Sequence, residues 1–320
     1  MGQQYSILPV RGAAPGTLMV VAALLGVACW LAGAGGALAA DYYVDGANAS
    51  CSDSNPGTES QPYCTIQAAL TARAAAGNTV IVKAATYRER VAISGSGVLG
   101  SQFVVKANGS GVIVDGADDY STTAQWTLFS GNVYLASSVT WSPNQAFKND
   151  TRLTESTADP ASLPANTYKY VSGTGLYANV GGGNPGAQNM KVSRRSEGFY
   201  SDNKSYVTIE GFTVTRANNK NIYARATGGG TCAGFVVKNN TTKFANSYGM
   251  QFEKCTAGTI SGNLSSDNKN HGIVLTAAAN ANTVEKNESS YNTFTGNSAN
   301  GLFVSGSEDN TISANLVHHN

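Results

Sequence analysis

An internal repeat beginning at Tyr206 constrains this chain more than any other feature. Five segments, VTIEGFTV (207–214), FVVKNNTT (235–242), GTISGNLS (258–265), NTVEKNES (282–289) and NTISANLV (310–317), can be laid under one another. Ile209, Val237, Ile260, Val284 and Ile312 then fall in one column, and three positions later stand Phe212, Asn240, Asn263, Asn287 and Asn315. Successive units are 28, 23, 24 and 28 residues apart. A second apolar run follows in each of the first four: NIYAR (221–225), GMQFE (249–253), GIVLT (272–276) and GLFVS (301–305).

A period of this length marks a repeat architecture, in which one unit cannot bury its apolar face alone. Each unit holds short runs that alternate apolar and polar residues, with no helical stretch between them, which excludes leucine-rich and helical repeats. What remains is a coil whose turns stack about 4.8 Å apart, the spacing of neighbouring strands. Inward residues then form aliphatic columns. The amides of Asn240, Asn263, Asn287 and Asn315 recur at one corner, where each can bond the next in a ladder. The expected fold class is all-β, a right-handed parallel β-helix (a solenoid).

The start of the chain supplies the lid such a coil needs. Residues 65–76 (TIQAALTARAAA) place Ile66, Ala69 and Leu70 at helical spacing, with Thr65 as cap and Gly77 as terminator. Short strands are expected at 41–45, 80–83, 91–93, 103–107 and 111–115. An apolar helix face covers a first strand whose edge would otherwise invite pairing. Between about Tyr120 and Gly186 the pattern changes to aromatic-rich strands (GNVYLAS, QAFKN, GLYANV) separated by irregular polar segments, read as a β-rich side insertion.

Residues 17–30 (TLMVVAALLGVACW) form an uncharged apolar run preceded by Arg11 and followed by Ala37-Leu38-Ala39, the A-x-A pattern of signal peptidase cleavage. The reading is an export signal over 1–39, with a retained N-terminal anchor as the alternative. The domain scheme is then 1–39 signal peptide, 40–119 cap and first turns, 120–198 insertion and 199–320 repeats. The repeats stop at Asn320 halfway through a turn, so continuation beyond it is expected. The mature chain is expected to be secreted or extracytoplasmic, with no membrane association after signal removal.

Four cysteines remain in the mature chain. In an oxidising compartment an even number points to bridges. Cys51 and Cys64 close a short Ser/Asn/Pro/Gly loop. Cys232 lies eight residues before Asn240 and Cys255 eight before Asn263, so both occupy one position of adjacent turns. Stacking brings their Cα atoms within disulfide reach. The expected pairs are Cys51–Cys64 and Cys232–Cys255. No C-x-x-C or His/Cys spacing points to zinc.

Formal net charge is +1, and no Lys/Arg run is present, which argues against nucleic acid. Charged residues make up 13%, against roughly 25% in ordinary soluble domains. Asn, Ser and Thr must therefore supply the polar surface.

The opening YYVDGANASCSDSNPGTESQPYCTIQAAL…GNTVIVKAATYRERV and the Asn-rich repeats with G-[IML]-x-[FVL] strands resemble the right-handed parallel β-helix superfamily. Within it they are similar to the pectate lyases of polysaccharide lyase family nine and related uronan lyases and epimerases. The resemblance implies a polysaccharide partner, an acidic one, and cleavage by β-elimination, with Lys or Arg as base and Ca²⁺ on several carboxylates. The Asp-rich run that leads into a G-[FI]-x-[LV] strand in family nine is missing. The matching stretches are RANNKN, KFANSY, SSDNKNH and GNSAN, and only the third holds an acid. The candidates are therefore Lys269 and His271 as catalytic groups and Asp267 as metal ligand, with a solvated turn as the plain alternative. Glu253 and Lys254 are weaker candidates, Arg88-Glu89-Arg90 reads as surface charge, and Arg194-Arg195 as a possible contact for acidic sugar. Two functions compete: a lyase acting on acidic glycan, and a non-catalytic β-helix protein for glycan binding or adhesion.

Overall fold

The computed structural model describes residues 39–293 and 299–320. The apolar run read as an export signal, and Ala37-Leu38 after it, lie outside the described residues.

Three parallel sheets wind around one core. The first has eight strands, from Asp41–Val44 through Thr79–Val82, Phe103–Ala107 and Val207–Glu210 to Thr311–Ser313. The second has seven, from Ala85–Tyr87 to Leu316–His318, and the third six, from Val91–Ala92 to Leu302–Ser305. Every repeat turn runs from the first sheet to the second to the third, the arrangement of a parallel β-helix. Its right hand is the one that twisted strands impose on parallel crossovers. Ile209, Val237, Ile260, Val284 and Ile312 pair in register along the first sheet. The first four are buried, and Ile312 on the last turn is 47% exposed.

The corner between the first and second sheets takes two residues. Its first position has a positive φ in every repeat: Gly211, Asn239, Gly262, Lys286 and Ala314. The chain can reverse in so short a corner only through the left-handed region, which Gly and Asn enter at least cost. The second position carries the ladder. Asn240 Nδ2 donates to Asn263 Oδ1 at 3.1 Å, Asn263 to Asn287 at 2.9 Å and Asn287 to Asn315 at 2.9 Å. Phe212 caps the row, its backbone N–H donating to Asn240 Oδ1. A second row, which the repeat alignment did not bring out, lies at the corner between the second and third sheets: Asn268 donates to Asn292 at 2.9 Å and Asn292 to Asn320 at 2.8 Å.

The helix spans Ile66–Arg73, shorter than the 65–76 read from the sequence. Thr65 caps it, its side chain accepting from the Ala68 N–H, and Ile66, Ala69 and Leu70 enter the core. The Glu89 carboxylate accepts from the N–H groups of Ile66 and Gln67, both at 2.8 Å. Glu89 is thus a helix-terminus anion rather than loose surface charge. Burial pushes its carboxyl up, and those two backbone bonds pull it back.

The insertion leaves the second sheet after Val112–Asp115 and returns at Glu197–Asp202 in the third. Its strands form two separate, mainly antiparallel sheets, the first framed by Ala117–Asp119 and Met190–Ser193. It has its own apolar core around Trp126, Leu176 and Met190. Arg216 of the solenoid ties it down, pairing with buried Asp115 at 2.8 Å and with Asp150 at 2.7 Å. Because it emerges at the corner between the second and third sheets, the insertion lies along that edge of later turns. Gln145 Nε2 donates to the carbonyls of Ala217 and Phe244 there.

Both disulfides are formed. Cys51–Cys64 closes the N-terminal loop, and Cys232–Cys255 joins two residues paired across adjacent turns, with Cα atoms 4.5 Å apart.

Candidate functional site

Strand alternation decides which side chains of the third sheet face outward. Phe199, Ile222, Met250 and Phe252 point into the core, so their neighbours point away from it. Two outward columns result. Tyr200, Tyr223, Gln251, Val274 and Phe303 pair in one, and Asp202, Arg225, Glu253, Thr276 and Ser305 in the other. The ionisable groups gather on the first three of these turns, and the later two carry neutral side chains.

These groups form one connected network. The Tyr223 hydroxyl donates to Glu253 Oε2, and the Tyr200 hydroxyl to Asp202 Oδ2 at 3.2 Å. Arg225 donates to Asp202 Oδ2 at 3.3 Å and sits 5.6 Å from each tyrosine ring centroid. Lys220 Nζ lies 4.2 Å over the Tyr223 ring, and the Arg90 guanidinium 4.1 Å over Tyr200. Such placements are favourable, because a ring face is the negative end of its quadrupole. Arg90 also pairs with Glu197 at 2.7 Å, so it too is more than surface charge. Arg225 Nε and Gln251 Oε1 are buried and without a partner among the described residues.

Environment sets the protonation. Burial, then the bond to Glu253, pushes the Tyr223 hydroxyl up to about 12, which keeps it a donor. Burial pushes Lys220 down, and Glu197 and Glu253 pull it back. Lys220 makes no ion pair with a described carboxylate within 4.0 Å. A half-buried lysine with a lowered pKa is a candidate proton acceptor, and Arg225 a candidate partner for a carboxylate.

Of the three residues singled out from the sequence, the structure sends Lys269 and His271 to different places. His271 is stacked between Tyr248 and Phe303, with centroids 5.4 and 4.5 Å away, and its Nδ1 accepts the Asn300 N–H. Lys269 points to a different place, a cavity under the insertion, where Nζ reaches Asn246 Oδ1 at 3.4 Å. Asp267 adopts a positive φ at its corner. Among the described residues no three of His, Cys, Asp or Glu gather as metal ligands, so the donors present do not fit a multi-carboxylate Ca²⁺ site. The outward network was nonetheless written in the repeats. FYSD (199–202), IYAR (222–225) and MQFE (250–253) put a charged residue at one offset in three successive turns.

The family described as periplasmic copper-binding protein (NosD) matches residues 144–320, more than half of the chain. No curated protein matches the sequence. Among solved structures, the complex of XylC with xylose is similar at 16% identity and TM-score 0.60, over 86% of this chain and 62% of that one. A glycoside hydrolase matches at 10% identity and TM-score 0.62, over 79% of this chain and 74% of that one. Pectate lyase Pel9A matches at 16% identity and TM-score 0.49, over 80% of this chain and 48% of that one. The chain thus spans less than two thirds of the length of XylC. At these identities the first two likenesses establish the fold.

Proposed function

The chain belongs to the NosD family of parallel β-helix proteins, and from that premise we propose that it is an extracytoplasmic protein acting on polysaccharide at the outward face of its third sheet. The observation that carries this reading is the Tyr200–Tyr223 pair, set among Arg225, Lys220, Asp202 and Glu253 on three stacked turns. Such a strip combines aromatic surface with charged hydrogen-bonding groups along a straight axis, which suits an extended glycan. The two disulfides support an oxidising compartment.

The finer reading is β-elimination on an acidic glycan. Arg225 holds the uronate carboxylate, and Lys220 takes the proton from the carbon next to it. A carbon–carbon double bond forms as the glycosidic C–O bond breaks, and the departing oxygen takes the electron pair and a proton from Tyr223. Each of these roles uses a group already in the required protonation state, or shifted towards it.

Copper has no part in this reading. Among the described residues the donors do not fit a copper centre: Cys51, Cys64, Cys232 and Cys255 are in disulfides, and His271 is held in an aromatic stack. His318 and His319 face each other through Nδ1 at 2.7 Å, and no third His, Cys, Asp or Glu completes a ligand set with them among the described residues.

Incubation with pectate, alginate and glycosaminoglycans, followed by ultraviolet absorbance of unsaturated products, tests the proposal. Product from one uronan, with a loss of about 100-fold or more in Lys220→Ala, is expected. Binding without product would favour the non-catalytic alternative. Neither binding nor product would sink both.

A further inference from the structure

Where the insertion lies along the solenoid the two form a half-open cavity of about 360 Å³ that shares no lining residue with the tyrosine face. Asn144, Arg152, Glu155 and Tyr168 line it from the insertion, and Asn246 and Lys269 from the solenoid. Its volume lies at the small end of ligand pockets, suited to one sugar ring.

Arg152 is the informative residue. Nε donates to Gln145 Oε1 at 2.9 Å and Nη2 to the Ala245 carbonyl at 3.0 Å, so two donors fix the guanidinium. Nη1 makes no hydrogen bond to a described residue, and no described carboxylate lies within ion-pair distance of Arg152. Burial pushes this guanidinium down to about 10, with Asp267 the carboxylate that pulls it back. A cation fixed at a cavity wall, with one terminal nitrogen unpaired among the described residues, is arranged to receive an anion. Lys269 adds a second positive charge to the wall, and among the described residues its ammonium hydrogen-bonds only to Asn246 Oδ1. Tyr168 is buried among apolar groups, and burial followed by the Glu155 charge pushes its hydroxyl well above the usual range, so it is a neutral donor. Glu155 is the one carboxylate among the lining residues.

We propose that this cavity is a separate subsite for one acidic sugar residue, its carboxylate held between Arg152 and Lys269 and its hydroxyls on Asn144, Asn246 and Tyr168. The inference takes only its substrate class from the proposed function. The insertion thereby becomes a recognition element that grips an acidic residue apart from the tyrosine face.

Calorimetric titration of the full chain with galacturonate, galactose and inorganic sulfate tests it. Galacturonate is expected to bind at least about tenfold more tightly than galactose, and Lys269→Met to lower its affinity about tenfold, the equivalent of one charge-assisted contact. Lys269 is exposed, so its variant keeps the fold, which a thermal melt verifies. Arg152→Lys, which retains charge but loses the fork, is expected to weaken binding as well. Equal affinity for galacturonate and galactose would overturn the subsite, and sulfate bound as tightly as galacturonate would overturn its assignment to a sugar. Tyr223→Ala is the contrasting variant. If it loses galacturonate while Lys269→Met retains it, the acid binds at the tyrosine face; the cavity assignment falls and the proposed function stands.

Discussion

The Tyr223 hydroxyl donates to the Glu253 carboxylate one turn further along the solenoid, under the amine of Lys220. A bond from a buried phenol to a carboxylate is stronger than one between neutral groups, and solvent at the Glu253 end reduces it. Tyr223→Phe and Glu253→Gln should therefore be coupled, with an interaction of about 1 kcal/mol in a double-mutant cycle on denaturant midpoints. Strict additivity of the two would mean that the bond contributes nothing to the face.

Asn263 stands inside the corner ladder, between Asn240 and Asn287. It accepts from the N–H and side-chain amide of Asn240, and donates to Asn287 Oδ1 and the Val237 carbonyl. Truncation to Ala strands several buried polar atoms at once, each costing about 1–3 kcal/mol when unsatisfied. Asn263→Ala is expected to lose about 3 kcal/mol in urea unfolding. A loss under about 1 kcal/mol would show that water replaces the amide at this corner.

Much of the fold could be read from the sequence because stacking forces equivalent residues to recur. Ile260 and Asn263 stand at fixed offsets in their unit, and the same offsets recur in the units on either side. A column and a ladder follow directly. The second Asn row was hidden by Ala245, which stands where Asn268 and Asn292 do and takes the amide contact through its backbone N–H. The tyrosine face was missed for a different reason. An acid-rich run ahead of a strand marks a site by composition, whereas Asp202, Arg225 and Glu253 mark one only by sharing an outward column. Lys269 looked like a companion of His271 because a single residue separates them in sequence. The corner turns between them, sending one side chain under the insertion and the other into the Tyr248–Phe303 stack.

His271 gives the fold a pH dependence whose sign is fixed by burial alone. Its pKa is lowered from 6.5 because the stack desolvates the charged form, and no carboxylate compensates. As pH falls through 6.5 the unfolded chain takes up the proton first, so the unfolded state binds more protons and stability falls with pH. The contribution is complete above 6.5, shrinks between 6.5 and the lowered folded value, and is flat below it. His271→Phe keeps the stack and removes the titration. Melting temperatures measured between pH 5 and pH 7.5 should fall with acidity more steeply in the wild type than in this variant. Parallel curves would rule the histidine out as the source.

Cys232 and Cys255 differ from the other bridge in their surroundings. Each is 2% exposed and part of the solenoid core, whereas Cys51 and Cys64 are half-buried in a polar loop. The Cys232–Cys255 bridge closes a span of 23 residues, for which loss of chain entropy in the unfolded state corresponds to about 3 kcal/mol. Exchange needs a thiolate to reach the sulfur, so access sets the order of reduction. Under graded dithiothreitol in native buffer, followed by alkylation and peptide mapping, Cys51 and Cys64 should be labelled first. Cys232 and Cys255 should stay protected until the solenoid opens. Replacing both with Ser should lower stability by about 3 kcal/mol, partly offset where the small side chains repack. Early labelling of Cys232, or a peptide linking it to Cys51 or Cys64, would break the register that pairs these two turns.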